Sequence, residues 1–292
     1  TNSNLIWKAL KDVSVQEVDV QREDSINLKR DKAGLWNLGV SSRAGNDEFI
    51  LDTGANFSVV CESIARNNGW KIIEAGFDVG TVTGETVRSN IALADSISIG
   101  KSVFRNVVFL LVPDEKMTIR VNPLFTYAIK GIIGLPVIKE FGEIEIHNDG
   151  FLRIPAKITS NGYKNFVINS YTPLLYAAVD GAMLGFKFDT GANSSGLFKS
   201  YLDKYRGDLA DAPTVTKPIG GAGGTRQIEA FLLKSFTLKI AGESVTLRNI
   251  PVFKEPRNRN ENISFGSLGQ DVLKQFSYTV VNFKDMYIEL RK

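Results

Sequence analysis

Short apolar runs of strand length, separated by glycine and asparagine turns, outnumber helical patterns along this chain and mark it as mainly β. Trp36 to Val40 reads as a strand that leads through a Gly/Asn turn into a second strand ending at Asp52. Leu174 to Val179 leads through Asp180-Gly181 to Asp189 in the same manner. Farther on, Ile97-Ser98-Ile99-Gly100 is answered by Leu238-Lys239-Ile240-Ala241-Gly242. A further apolar strand follows each, Val103 to Val112 and Val245 to Val252. Helical patterns are short: Glu62 to Trp70, Phe198 to Tyr205, and a brief stretch after Gly134 and after Gly269. A closing hairpin is expected beyond Phe141 and again beyond Phe276, turning at Asn148-Asp149-Gly150 and near Lys284-Asp285.

These correspondences form a repeat. Gly131-Ile132-Ile133-Gly134-Leu135-Pro136-Val137 to Phe141 aligns with Gly266-Ser267-Leu268-Gly269-Gln270-Asp271-Val272 to Phe276. Gly134 and Gly269 keep nearly the offset that separates Asp52 from Asp189, so the two halves stay in register. The expected organisation is an N-terminal extension over 1–34, a first lobe over 35–157 and a second over 158–292. The crossing falls within Pro155 to Pro173, where Thr159-Ser160-Asn161-Gly162 and Asn169-Ser170 interrupt the apolar pattern. In the extension, Leu5, Ile6, Trp7 and Leu10 make an amphipathic start and Val13, Val15, Val18 and Val20 alternate, with no counterpart expected in the second half.

Composition narrows the chemistry. At 292 residues, 43% hydrophobic and 23% charged, the chain predicts a soluble globular protein of two ordinary domains. A net charge of +3, evenly spread, gives no footprint for nucleic acid. The absence of an apolar run of eighteen residues argues against a membrane-spanning helix. Cys61 is the only cysteine, which excludes an internal disulfide and a cysteine-built metal site, and it is expected to be a small buried residue. His147 is the only histidine, too few for Ser-His-Asp, Cys-His or multi-histidine zinc chemistry, and a solvated surface position is expected for it. Carboxylates remain. The first residue is not Met, which leaves location open, with export behind a removed leader as one expectation.

The carboxylates that stand out lie in a stretch carried twice, Phe49-Ile50-Leu51-Asp52-Thr53-Gly54-Ala55-Asn56 and Phe186-Lys187-Phe188-Asp189-Thr190-Gly191-Ala192-Asn193. A single copy would be an ordinary Asx turn. Two copies related by a pseudo-twofold axis can bring two carboxyl groups face to face with one proton between them. In these residues the chain resembles the aspartic peptidases, and in particular the retropepsin-like branch with its Asp-Thr-Gly-Ala form. The resemblance covers about residues 35–292.

The resemblance implies an all-β fold of two pseudo-twofold-related retropepsin/pepsin-like acid protease β-barrel lobes with short helices. A retropepsin-like unit, duplicated and fused, would work as a monomer with pseudo-dimeric lobes. Asp52 and Asp189 would activate a water, with Thr53, Gly54, Thr190 and Gly191 supporting the loops, no cofactor, and an extended peptide or protein as substrate. Gly80, Thr81, Val82, Thr83 and Gly84 in one half, and Gly221, Ala222, Gly223 and Gly224 in the other, occupy the place of a hairpin flap. Plain hairpin turns are the alternative there. The apolar-apolar-Gly segment behind each loop is matched by Ile132-Ile133-Gly134, whereas Ser267-Leu268-Gly269 departs at Ser267, read as a variation in packing.

Ala55 and Ala192 follow the two Asp-Thr-Gly triplets, where a hydroxyl would favour the carboxylate anion. Both steps of the pair are therefore expected to titrate higher than in pepsin, with an activity optimum at about pH 5 to 6.5. Pro113 to Lys130 and Lys254 to Asn262 differ between the halves and are candidates for lining a cleft. Three rivals stand beside the peptidase: a catalytically weak or inactive peptide-binding protein on the same fold, a glycosidase using the carboxylate pair, and calcium binding.

Overall fold

A computed structural model describes residues 2–80, 84, 86–122, 125–209, 211–221, 224–256 and 261–292. Alternating apolar strands build two sheets with one strand order. In the first, the hairpin of Trp36–Ser42 and Gly45–Asp52 sets Leu38 opposite Phe49. Gly45–Asp52 then runs parallel to Gly131–Gly134, which is antiparallel to Ser58–Cys61. Ser58–Cys61 is parallel to Ser102–Val112, and Thr86–Ile99 and Lys71–Gly80 follow antiparallel. The second sheet repeats this, step for step, with Thr172–Val179, Ala182–Phe188, Gly266–Leu268, Gly196–Leu197, Glu243–Phe253, Gly224–Ile240 and Thr214–Gly221. Short helices follow at matching places: Glu62–Asn67 and Lys199–Lys204 after the aspartate loops, Leu135–Ile138 and Gln270–Leu273 after the second glycines.

The strand that leads into each aspartate is covered on both faces along its apolar residues, with Lys187 the partly exposed exception in the second half. Phe49 packs edge-on to Phe109, and Phe186 likewise to Phe236, each pair with ring centroids 6.1 Å apart. All four rings are almost fully buried. Each contributes about 2 to 3 kcal/mol by leaving water, so the base on which the aspartate loops stand is rigid.

The closing hairpins of the two halves lie side by side. Glu143–His147 pairs with Phe151–Ile154 on one edge and with Tyr278–Asn282 on the other, setting Ile144 opposite Val281. Tyr278–Asn282 in turn pairs with Tyr287–Arg291. This makes the first sheet continuous with the C-terminal strands, 13 strands among the described residues. Buried Glu143 accepts from the backbone N–H (2.9 Å) and hydroxyl (2.8 Å) of Thr159 and from the Asn282 amide, so the chain between the halves is held to this sheet.

The structure departs from the sequence expectation at three places. Asp24–Arg30 is a strand between Trp36–Ser42 and Phe151–Ile154. Phe166–Asn169 pairs with Thr172–Val179 in the same way, so this part of the N-terminal stretch does have a counterpart. Its alternation, with Ile26 and Leu28 inward, is masked in sequence by the charged Asp24, Lys29 and Arg30. The valine alternation yields only Glu17–Asp19, paired with Ser102–Val112, and Val15 is 78% exposed. His147 is half-buried rather than freely solvated. Register sets it opposite both Phe151 and Tyr278, and its ring stacks between theirs at 4.1 and 4.7 Å, with Nε2 3.1 Å from Glu145 Oε2.

Asn2–Leu10 forms the amphipathic helix and packs Ile6, Ala9 and Leu10 against Phe77, Ile91 and Leu110. Cys61 is buried. No helix among the described residues is long and apolar enough to cross a membrane.

Candidate active site

Asp52 is the last residue of its strand, and the chain turns directly after it, Ala55 N–H meeting the Asp52 carbonyl at 3.3 Å. Ala192 N–H meets the Asp189 carbonyl at 3.2 Å. Behind each turn the apolar-Gly strand presses close. Leu135 N–H donates to the Ala55 carbonyl (2.9 Å) and Gln270 N–H to that of Ala192 (2.8 Å). A Cβ on Gly134 would stand 2.8 Å from the Ala55 carbonyl oxygen, and one on Gly269 2.6 Å from that of Ala192, so only glycine permits the approach. Two serines complete the brace: Ser58 Oγ accepts from Gly134 N–H at 3.1 Å, and Ser195 Oγ from Gly269 N–H at 2.9 Å. Neither serine stands out in the sequence, although each lies six residues beyond its aspartate.

The two loops meet through their threonines, both 0% exposed. Thr53 N–H donates to Thr190 Oγ1 (2.9 Å), whose hydroxyl donates to the Leu51 carbonyl (2.7 Å). Reciprocally, Thr190 N–H donates to Thr53 Oγ1 (3.1 Å), whose hydroxyl donates to the Phe188 carbonyl (2.9 Å). Four buried backbone groups depend on two hydroxyls, and stranding any one of them costs about 1 to 3 kcal/mol. Gly54 and Gly191 face the opposite carboxyls. A Cβ on Gly54 would stand 2.5 Å from Asp189 Oδ1, and one on Gly191 would collide with the Asp52 carboxyl. Arg30 reaches this region as well, donating to Gln270 Oε1 at 2.6 Å, while Gln270 Nε2 donates to the Thr190 carbonyl at 2.8 Å.

The carboxyls of Asp52 and Asp189 therefore lie on facing loops, each against the glycine that follows the other, close enough to influence each other. Burial, and next the charge of Asp189, push Asp52 up to about 7, against the opposing pull of Lys187 and of the Gly54 N–H, which donates to Asp52 Oδ1 at 2.8 Å. At mildly acidic pH the pair therefore keeps a proton.

Asp189 has different surroundings. Lys187 Nζ lies 3.1 Å from its Oδ2, and the Ser267 hydroxyl donates to the same oxygen at 3.4 Å. Ser267 is thus not a packing variation; it is a buried donor aimed at a carboxylate. No hydroxyl follows either Asp-Thr-Gly triplet, yet Asp189 receives donors from two strands. Lys187 was legible as a charge between two phenylalanines. The two-residue period of a strand puts it on the same face as Asp189.

Both proposed flap segments are hairpin ends. Gly80 pairs with Thr86, and Gly221 with Gly224, while Gly84 (φ +81°) and Gly224 (φ +109°) hold backbone conformations that favour glycine. Thr81, Val82, Thr83, Ala222 and Gly223 lie outside the described residues. Of the two segments that differ between halves, Pro113 to Lys130 turns Met117 and Ile129 inward against Ile50 and Ile132. Lys254 to Asn262 lies partly outside the described residues.

Two sheets of one strand order, each delivering an Asp-Thr-Gly loop to a common point, define a two-lobed all-β fold of the acid protease type. Residues 44–137, which contain Asp52 and the Gly131–Gly134 strand, match a protein-family model described as aspartyl protease. The matched stretch ends before Asp189. No curated protein matches the chain.

Proposed function

We propose that this chain is an aspartic endopeptidase in which Asp52 and Asp189 together activate a water against a peptide carbonyl. The observation that carries this reading is the reciprocal threonine bonding, which brings two carboxyls close enough to influence each other, so that the pair keeps a proton at mildly acidic pH. Peptide hydrolysis without metal or covalent intermediate needs such a pair, one member to take a proton from water and one to donate to the carbonyl oxygen. A glycosidase spaces its carboxyls about 5 Å or more apart, which disfavours that rival.

The repeated strand order supports a duplicated and fused retropepsin-like unit, its first lobe beginning with the Asp24–Arg30 strand rather than at residue 35 and its second running from 158, in one monomeric chain. The hairpins ending at Gly80 and Gly221 are suited to lie over an extended peptide and pair with its backbone. Binding without turnover is the second reading, favoured by one observation, the ion pair that occupies Asp189.

Turnover of a mixed peptide library decides between the two. Wild type should cleave, with activity falling as pH rises through about 7, where the pair loses its proton. Asp52→Asn and Asp189→Asn should each lose at least about 1,000-fold in kcat/KM, and the double variant little more. A folded wild type that binds peptides and cleaves none across pH 3 to 8 would establish the binding protein instead.

A further inference from the structure

The strand pairing behind the two aspartate loops is the same in both halves, and one rung of it differs. In the first half Ile50 lies opposite Ile132, two residues before Asp52. In the second half the corresponding rung is Lys187 opposite Ser267, two residues before Asp189. Two departures that look unrelated in sequence are therefore one neighbouring pair, and both members reach the same oxygen, Asp189 Oδ2, at 3.1 and 3.4 Å.

Their surroundings explain how the exchange is tolerated. Ile50 and Ile132 are sealed beneath Val87, Val112, Met117 and Ile129. Met117 and Ile129 belong to the long apolar segment that the second half replaces by a short charged one. Lys187 accordingly keeps 27% of its side-chain surface and can hold a charge, whereas an ammonium in place of Ile50, which is 3% exposed, would be desolvated.

We propose that Lys187 and Ser267 are positioning residues that divide the work between the aspartates, keeping Asp189 as the anion that takes the proton of water and leaving the shared proton on Asp52. This rests on the peptidase reading above. In that division, Asp189 accepts a proton from water as its oxygen bonds to the peptide carbon, and Asp52 gives its proton to the carbonyl oxygen. The carbon–nitrogen bond then breaks as Asp189 passes its proton to the leaving nitrogen and the new hydroxyl returns one to Asp52. One water is consumed, and both carboxyls end as they began.

The groups brought to Asp189 include Lys187 on its own strand, Ser267 on the parallel strand, and Asp52 with Gly54 on the opposing loop. Of these only Lys187 carries a positive charge, and its direct contact is with Asp189, so it favours ionisation there over Asp52. Asp52 accepts the Gly54 N–H of its own turn at 2.8 Å and is deeply buried, which together with the charge of Asp189 outweighs the pull of the ammonium and favours its protonated form.

The test reads the carboxyls directly. The full chain is labelled with 13C at the aspartate carboxyl carbon and titrated from pH 3 to 9, with Asp52→Asn and Asp189→Asn assigning the two signals. In wild type Asp189 should ionise first, and Asp52 should release its proton near neutrality. In Lys187→Met the first ionisation should move up by about one pH unit or more, with the proton shared more evenly between the signals. Lys187→Arg should restore the wild-type pattern, and Ser267→Ala should give a smaller shift of the same sign. Lys187→Gln serves in the same way should the methionine variant not fold. Where the chain turns over peptide, the acid limb of kcat/KM should follow the first ionisation in each variant. The proposal is overturned if Asp52 ionises first in wild type, or if neither neutral Lys187 variant moves the first step. Absence of turnover at every pH would overturn the peptidase reading alone, because the carboxyl titration decides this one without it.

Discussion

Asp52→Asn is expected to stabilise the protein above neutral pH and to leave its stability nearly unchanged near pH 4. Folding raises the Asp52 carboxyl from its ordinary 3.8 to about 7, chiefly by burial and by the neighbouring Asp189. A raised carboxyl binds its proton more tightly in the folded state. The stability this contributes is complete below about pH 3.8 and is lost as pH rises through about 7. Each unit of such a shift is worth about 1.4 kcal/mol, so the ionised Asp52 burdens the fold by about 2 to 4 kcal/mol at pH 8. Asparagine has the shape of the protonated carboxyl and offers an N–H to Asp189, but it has no charge to bury.

Unfolding by urea, or by calorimetry, at pH 4, 5, 6, 7 and 8 would show the gain growing with pH. At pH 8 it should raise Tm by about 5 to 10 °C. Asp189→Asn is the control. It takes the carboxylate from Lys187 and Ser267 and should give no comparable gain. A gain for Asp52→Asn that is the same at pH 4 and pH 8, or a loss at pH 8, would refute the argument.

Two further outcomes test how the loops are held. Thr53→Val keeps the volume but leaves the Thr190 N–H and the Phe188 carbonyl without their partner, and should cost about 2 to 4 kcal/mol in urea unfolding, whereas Thr53→Ser should cost less than about 1.5. Gly191→Ala drives a methyl into the Asp52 carboxyl and should cut peptide turnover at least about 100-fold. The companion Gly181→Ala, at a turn with open space but φ +82°, should lose a little stability and keep its turnover.

Much of this fold could be read from the chain because the deciding features are local. The hairpins around Asp52 and Asp189, the helices after Gly134 and Gly269, and the closing hairpins all have their turn residues beside their apolar runs. What could not be read depends on which strands become neighbours. Asp24–Arg30 looks like a polar leader until Trp36–Ser42 and Phe151–Ile154 flank it and bury Ile26 and Leu28. His147 looks solvated until cross-strand register encloses it between two rings. Ser58 and Ser195 brace glycines 76 and 74 residues away, a distance over which no periodicity speaks.

The Lys187–Ser267 rung carries this furthest, because it bears on what a single chain with two different halves can do. In a pair of identical subunits, any residue set beside one aspartate is set beside both. Two ammonium groups at the rung would favour ionisation of both carboxyls, and the pair would lose the proton that the carbonyl oxygen must receive. A pair with no ammonium would leave the proton shared by symmetry, its place decided only when substrate binds. One lysine on one strand avoids both outcomes, favouring a first ionisation and acting more weakly on the second. Such an arrangement requires Ile50 on one side and Lys187 on the other, which only non-identical halves can supply.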